Sequence, residues 1–82
     1  MNNKKILELI LNSAGLEMKN FELIKYGSKD VGYEFEAYSN DEFEFSVETD
    51  NFQDAIADTL REIYQSENIE FTAAYRKFPN WL

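Results

Sequence analysis

Ten carboxylates and no lysine or arginine lie between Asp30 and Leu60 of this 82-residue chain. Outside that segment the chain holds six carboxylates and all eight of its basic residues, so the net charge of −8 originates within the segment. Carboxylates can form an acid–base pair, ligate a hard cation, or present negative charge to a cationic partner. The ten residues are Asp30, Glu34, Glu36, Asp41, Glu42, Glu44, Glu48, Asp50, Asp54 and Asp58.

The residue types argue against catalysis and against a bound metal. A glycosidase needs two carboxyl groups about 5 to 9.5 Å apart, but 82 residues in this layout leave little room for a substrate cleft. The acids at Asp41 and Asp50 lack the regular oxygen spacing around a glycine that marks a calcium loop. Without His or Cys, the chain lacks the usual zinc ligands and the usual proton carrier. We therefore predict a protein that is not an enzyme and needs no cofactor or metal.

The composition predicts one folded domain over residues 1–82. With 44% hydrophobic residues and thirteen aromatic ones, the chain is too apolar to be a disordered acidic tail. No segment approaches the ~20 apolar residues of a membrane span, and anionic lipid headgroups repel an acidic surface. The absence of cysteine suits a reducing compartment. We expect a cytoplasmic protein, monomeric or dimeric, that does not bind membranes.

The elements that must position the carboxylates follow from the spacing of apolar residues. A first helix begins at Asn2 or Asn3 and ends at Gly15, which supplies the left-handed residue that closes many helices. Its apolar face consists of Ile6, Leu7, Ile10, Leu11 and Ala14. Strands are predicted at residues 20–26, 31–38 and 42–48, with Phe21 and Leu23 favoured as inward-facing and a turn at residues 27–30.

The second and third strands alternate cleanly and predict a hairpin. Their inward residues are Tyr33, Phe35, Ala37, Phe43, Phe45 and Val47. All have odd numbers, so two residues that pair across the hairpin must have numbers with an even sum. A two-residue turn at Asn40-Asp41 would pair Phe35 with Ser46, and we therefore expect a loop with an odd number of residues. This register leaves either Glu36 opposite Glu44 or Glu34 opposite Glu48. It places on the outward face Glu34, Glu36, Tyr38, Glu42, Glu44, Ser46 and Glu48.

Two more helices complete the predicted fold. For the second helix, the N-cap residue is offered by Thr49-Asp50-Asn51. This helix carries Asp54 in its first turn and Asp58 on its solvent side. Its apolar stripe is Phe52, Ile56, Leu60 and Ile63. The third, short helix has the stripe Phe71, Ala74, Tyr75 and Phe78, with a fourth strand from Ile69 as the alternative. We predict an α+β fold of order α-β-β-β-α-α: a three-stranded antiparallel meander with its helices on one face and its carboxylates on the other.

The exposed carboxylates of the hairpin approach the charge density of a polyanion. Residues two apart on a strand are ~6.6 to 6.8 Å apart and neighbouring strands ~4.8 Å apart. Duplex DNA carries one negative charge per ~1.7 Å of axis and binds to clusters of Lys and Arg on proteins. Carboxylates held in place by a fold can bind to the same clusters. The simpler interpretation is a solvated face that keeps the domain soluble. The complete lack of basic residues favours binding, because selection for stability alone would scatter lysines among these acids.

Tyr38 differs from the other aromatic residues because it alternates with the outward glutamates. It either covers strand backbone or anchors an interface, since tyrosine is common among the residues that dominate binding energy. The aromatic residues at inward positions are expected to form the core.

This layout resembles that of the small, acidic, phage-encoded anti-CRISPR proteins of the helix, three strands, helix, helix type that inhibit the type II RNA-guided nuclease. The similarity covers the whole length in element order, size and charge, including the strand Asp41-Glu42-Phe43-Glu44-Phe45-Ser46-Val47-Glu48 that leads through Thr49-Asp50-Asn51 into an acidic helix start. It rests on no shared motif. It implies a protein that acts in a bacterial host, where its carboxylates dock on the nuclease's basic duplex-binding site and exclude DNA.

We therefore predict a non-enzymatic inhibitor that mimics nucleic acid, blocks a basic nucleic-acid-binding protein such as a CRISPR nuclease, and does not bind nucleic acid itself. The alternatives are an immunity-type protein that neutralises a cognate toxin through Tyr38, and an oligomerisation or accessory module that uses Trp81-Leu82 or an outer strand. The residues predicted to bind the partner are Glu34, Glu36, Tyr38, Asp41, Glu42, Glu44, Glu48, Asp50, Asp54 and Asp58.

Overall fold

The computed structural model describes residues 2–26 and 30–66 and has the element order α-β-β-β-α. The elements are α1 (Asn3–Ser13), β1 (Glu17–Tyr26), β2 (Asp30–Ser39), β3 (Glu42–Thr49) and α2 (Phe52–Gln65). The strands form one antiparallel sheet in the order β1-β2-β3, so the predicted α+β meander is confirmed. The turn residues 27–29, the predicted third helix with its fourth-strand alternative, and Trp81-Leu82 lie outside the described residues.

α1 ends where the sequence predicts. Asn2 caps its first turn, accepting a hydrogen bond from the backbone of Lys5 at 2.8 Å. Gly15 adopts φ 78°, the left-handed conformation that costs glycine nothing. This conformation directs the Leu16 amide back to the Leu11 carbonyl oxygen at 2.8 Å and places both leucines in the core.

Both helices cover the same face of the sheet. α1 packs on β1, α2 packs on β3 and β2, and the helices contact each other. The buried residues of α1, β2, β3 and α2 form one cluster, which includes Leu7, Leu11, Phe35, Ala37, Val47, Ala55 and Ile63, and Met18 and Phe21 of β1 are partly buried against it. Thr59 is also fully buried, and its hydroxyl donates to the Ala55 carbonyl oxygen at 2.6 Å. The opposite face of the sheet has no helix upon it among the described residues.

β1 begins three residues before the predicted strand and contains an irregularity. Asn20 has a left-handed φ of 57°, and the pairing with β2 shifts between Lys19 and Glu22. Asparagine tolerates this conformation better than most residues. The shift resolves the imperfect alternation of this stretch, because it lets both halves of β1 direct apolar side chains to the helices.

Phe21 and Leu23 have different environments. The ring of Phe21 lies 6.3 Å from that of Tyr33 and 6.4 Å from that of Phe35, which confirms its inward orientation. Leu23 pairs with Tyr33 and therefore shares its side of the sheet, yet 54% of Leu23 is exposed.

The expected odd-numbered hairpin loop is wrong. Ser39 pairs with Glu42, so the loop has two residues, Asn40 and Asp41, with φ angles of 51° and 66°. Two consecutive left-handed residues are the signature of the tight hairpin turn that matches the twist of the strands.

A β-bulge corrects the register that this turn would otherwise impose. Tyr38 pairs with Phe43, but Ala37 pairs with Phe45, leaving Glu44 as an extra residue on β3. Beyond the bulge Phe35 pairs with Val47, so the predicted even sum holds for the core pairs. Between turn and bulge the parity is reversed, and Phe43, predicted to be in the core, is 55% exposed.

Candidate interaction face

The uncovered side of the sheet, called the open face here, is defined by the strand register. Residues that pair directly across antiparallel strands lie on the same side. On β2, Glu34, Glu36 and Tyr38 alternate with the buried residues and therefore lie on the uncovered side. Their cross-strand partners on β1 and β3 lie on that side as well. The open face so defined carries Glu17, Lys19, Glu22, Glu34, Glu36, Tyr38, Phe43, Ser46 and Glu48.

A row of three glutamates crosses the open face. Glu22 on β1 pairs with Glu34 on β2, and Glu34 pairs with Glu48 on β3. Neighbouring strands are ~4.8 Å apart, and like charges in directly opposed positions destabilise a sheet by a few tenths of a kcal/mol. Of the two registers left open by the sequence, the structure has Glu34 opposite Glu48. We call Glu22, Glu34 and Glu48 the glutamate row.

Glu36 lies one step further along β2 and is fixed by two donors. The side-chain amide of Asn20 and the hydroxyl of Tyr38, the latter at 3.2 Å, both donate to its Oε1. Lys19 is its cross-strand partner on β1. Glu34, Glu36, Ser46 and Glu48 line a shallow depression beside Asn20, which offers carboxylate oxygens to a cationic side chain.

Tyr38 and Lys19 form the mixed end of the open face. The Lys19 Nζ lies 4.5 Å from the centroid of the Tyr38 ring and 3.4 Å from Asp41 Oδ1. Partial burial raises the pKa of the Tyr38 phenol above its ordinary value. The hydrogen bond to Glu36 and the charge of that carboxylate raise the pKa further, whereas Lys19 lowers it. The phenol is therefore kept as a neutral donor.

Other predicted hairpin acids lie away from the glutamate row. Asp41 is in the turn, where it pairs with Lys19. Glu42 pairs with Ser39, so by alternation it is on the side of the helices, and its predicted outward position is wrong. The bulge residue Glu44 is half-buried in a groove with Phe45 and Glu62 near the end of α2, so it too is not on the open face. The same reversal of parity that exposes Phe43 removes both glutamates from it.

The remaining predicted acids belong to α2 and the connection before it. Asp50 is exposed in that connection. Asp54 is exposed in the first turn, where its backbone amide donates to Asn51 Oδ1 at 2.8 Å. Asp58 accepts from Arg61 at 2.7 Å. Asp54 and Asp58 are thus on the helical layer, and of the ten predicted residues the open face brings together Glu34, Glu36, Tyr38 and Glu48.

Glu17, Glu22 and Phe43 also lie on this face, although the sequence did not lead us to predict them as interaction residues. The inward orientation favoured for Phe21 and Leu23 already places Glu22 on the outward side of β1, whereas the irregularity at Asn20 reverses the parity before it and hides Glu17. Phe43 could have been found from Asn40-Asp41, because a two-residue turn combined with an inward Phe45 requires a bulge between them.

Residues 2–26 and 30–66 show no group of three metal-ligating side chains placed to hold an ion. No helix in this part of the chain is long and apolar enough to cross a membrane. Comparison with protein-family models, with curated proteins and with solved structures gave no match. Function must therefore be inferred from the geometry of the open face.

Proposed function

We propose that this chain is a non-enzymatic inhibitor whose open face occupies a basic nucleic-acid-binding site on another protein. The observation that carries the proposal is the glutamate row, in which Glu34 is flanked by a like charge on each neighbouring strand. Such an arrangement destabilises the fold, so selection for stability does not explain it. Binding to a cationic surface does explain it, because the partner neutralises the repelling charges.

The charge spacing supports mimicry of a nucleic-acid backbone. The backbone positions that carry these carboxylates are ~4.8 Å apart across neighbouring strands and ~6.6 to 6.8 Å apart along one strand, a density of negative charge that approaches that of a polyanion such as DNA. Lysine and arginine side chains that grip phosphates accept carboxylates as well, with arginine able to bind both in a bidentate geometry. The chain itself is repelled by nucleic acid, since its net charge is −8.

The partner proposed is the type II RNA-guided nuclease, as the resemblance to phage anti-CRISPR proteins implies. That enzyme reads a short duplex motif with arginines in a positively charged site. An acidic sheet of ten-residue strands, such as β1 and β2, has the dimensions to cover a few base pairs of such a site. The proposal predicts that bound inhibitor and bound duplex exclude each other.

Two variants of equal charge test whether the open face binds. The first carries E22Q, E34Q and E48Q; the second carries E8Q, D54N and D58N on the helices. Affinity for the purified nuclease is measured by calorimetry at low and high salt. We expect the first variant to lose affinity at least about tenfold and the second to lose far less, since short-range ion pairs outweigh net charge. Equal losses, or an affinity that is insensitive to salt, would contradict the proposal.

A second candidate, an immunity-type protein that neutralises one toxin, is favoured by the contact between Tyr38 and exposed Phe43. In that case recognition depends on a shape-specific anchor. Substituting Tyr38 by Ala would then weaken binding more than neutralising any single glutamate, and the chain would not bind unrelated DNA-binding enzymes.

A further inference from the structure

The open face ends in an exposed aromatic pair. The rings of Tyr38 and Phe43 are 5.8 Å apart and nearly perpendicular, at 82°. Phe43 is 55% exposed, although it lies on a face otherwise rich in carboxylates. Aromatic residues at the surface carry much of the energy of protein interfaces.

The backbone determines that Phe43 is exposed. A three-residue loop would keep odd residues paired with odd residues and would direct Phe43 to the helix side, as Phe45 and Val47 are. The chain instead combines the tight turn at Asn40 and Asp41 with a bulge at Glu44. This combination keeps Phe45 and Val47 buried and turns Phe43 alone towards Tyr38.

A cation is already bound at this end of the open face. Lys19 Nζ lies 4.5 Å from the Tyr38 centroid and 3.4 Å from an Asp41 carboxylate oxygen. Lys19 therefore shows, within the molecule, that an aromatic ring and a carboxylate here hold a cationic side chain between them. Phe43 offers a second ring beside the first, and the register places Glu17 and Glu36 on the same face.

We propose that Phe43, supported by Tyr38, receives an arginine side chain of the basic partner. The guanidinium stacks on the exposed Phe43 ring while the carboxylates of the open face supply its counter-charge. Arginine fits better than lysine because its planar, weakly hydrated group stacks on aromatic rings and binds carboxylates at the same time. This inference rests on the proposed function and adds to it the side chain that is recognised.

The test compares octa-arginine with octa-lysine as probes of the full chain, by calorimetry at low salt. The wild type is expected to bind octa-arginine about threefold to tenfold more tightly than octa-lysine. F43L retains an apolar side chain but removes the ring, and is expected to abolish most of that preference, because it weakens octa-arginine binding much more than octa-lysine binding. L23A is the matched control, because Leu23 is 54% exposed on the other side of the sheet, and it should keep the preference.

Each contrary result has a definite meaning. Equal binding of the two peptides with a steep salt dependence overturns the arginine anchor but not the proposed function, whereas no binding of either overturns both. A preference that survives F43L also overturns the anchor. So does a dimer that F43L dissociates, because Phe43 would then contact a second copy. The arginine anchor is also overturned if F43L lowers the melting temperature as much as a core substitution does, since Phe43 would then be covered in the free protein.

Discussion

At the scale of single residues, Glu34 is the most informative carboxylate. It lies on the middle strand with Glu22 on one side and Glu48 on the other, so it experiences two repulsions where its neighbours experience one. A half-buried glutamate that opposes folding in this way is consistent with the proposed binding role.

Replacing Glu34 with Gln is therefore expected to stabilise the fold while weakening the complex. The free energy of unfolding in urea at low salt should rise by about 0.3 to 1 kcal/mol, because two like-charge contacts disappear. The gain should shrink at high salt, where surface charges are screened. The control is E42Q, because Glu42 is exposed and pairs with Ser39. A Glu34 effect no larger than the Glu42 effect would show that the row carries no repulsion.

Tyr38 gives a prediction for alkaline pH. Burial, the bond to Glu36 and that carboxylate's charge raise the pKa of its phenol, so the neutral form is favoured in the folded state. The associated stability is fully present below the unfolded pKa of about 10 and is lost as the pH rises through the folded pKa. The difference between the ultraviolet titrations of wild type and Y38F should show one phenol titrating above that value. A midpoint at or below it would contradict the hydrogen-bonded arrangement.

At the scale of elements, the sequence predicts well what depends on local periodicity. The face of α1, the end of that helix at Gly15 and the inward residues of β2 follow from spacing alone. The turn and bulge of the β2–β3 hairpin do not. Two hairpin conformations would bury the same core residues: an odd-numbered loop, or a two-residue turn followed by a bulge. The left-handed conformations of Asn40 and Asp41 select the second.

That turn can be tested independently of any partner. Asn40 has φ 51°, a conformation that asparagine and glycine tolerate and that alanine disfavours. N40A should lower the free energy of unfolding by about 1 kcal/mol, whereas N40G should leave it nearly unchanged or raise it. Urea unfolding of both variants measures the difference. If N40A and N40G were equally stable, the tight turn would be wrong, and with it the exposure of Phe43.

At the scale of the whole molecule, two layers separate the acids that the sequence groups together. The segment between residues 30 and 60 is uniformly acidic, but Glu34, Glu36 and Glu48 lie on the open face while Asp54 and Asp58 belong to a helix of the other layer. Sequence segregation of charge therefore predicted the existence of an acidic face and only part of its membership. Glu22 joins it from a strand outside the segment, since pairing between strands is not a local property.

Competition between this chain and duplex DNA for one site on the nuclease tests the proposed inhibition directly. Equilibrium binding of a labelled duplex carrying the recognition motif to the guide-loaded type II nuclease is measured at increasing concentrations of the chain. If the chain acts as proposed, the apparent dissociation constant of the duplex rises in proportion to the concentration of the chain, and the variant with E22Q, E34Q and E48Q needs at least about ten times more protein for the same effect. A ternary complex in which nuclease, duplex and chain are bound together, with the duplex affinity unchanged, would contradict it.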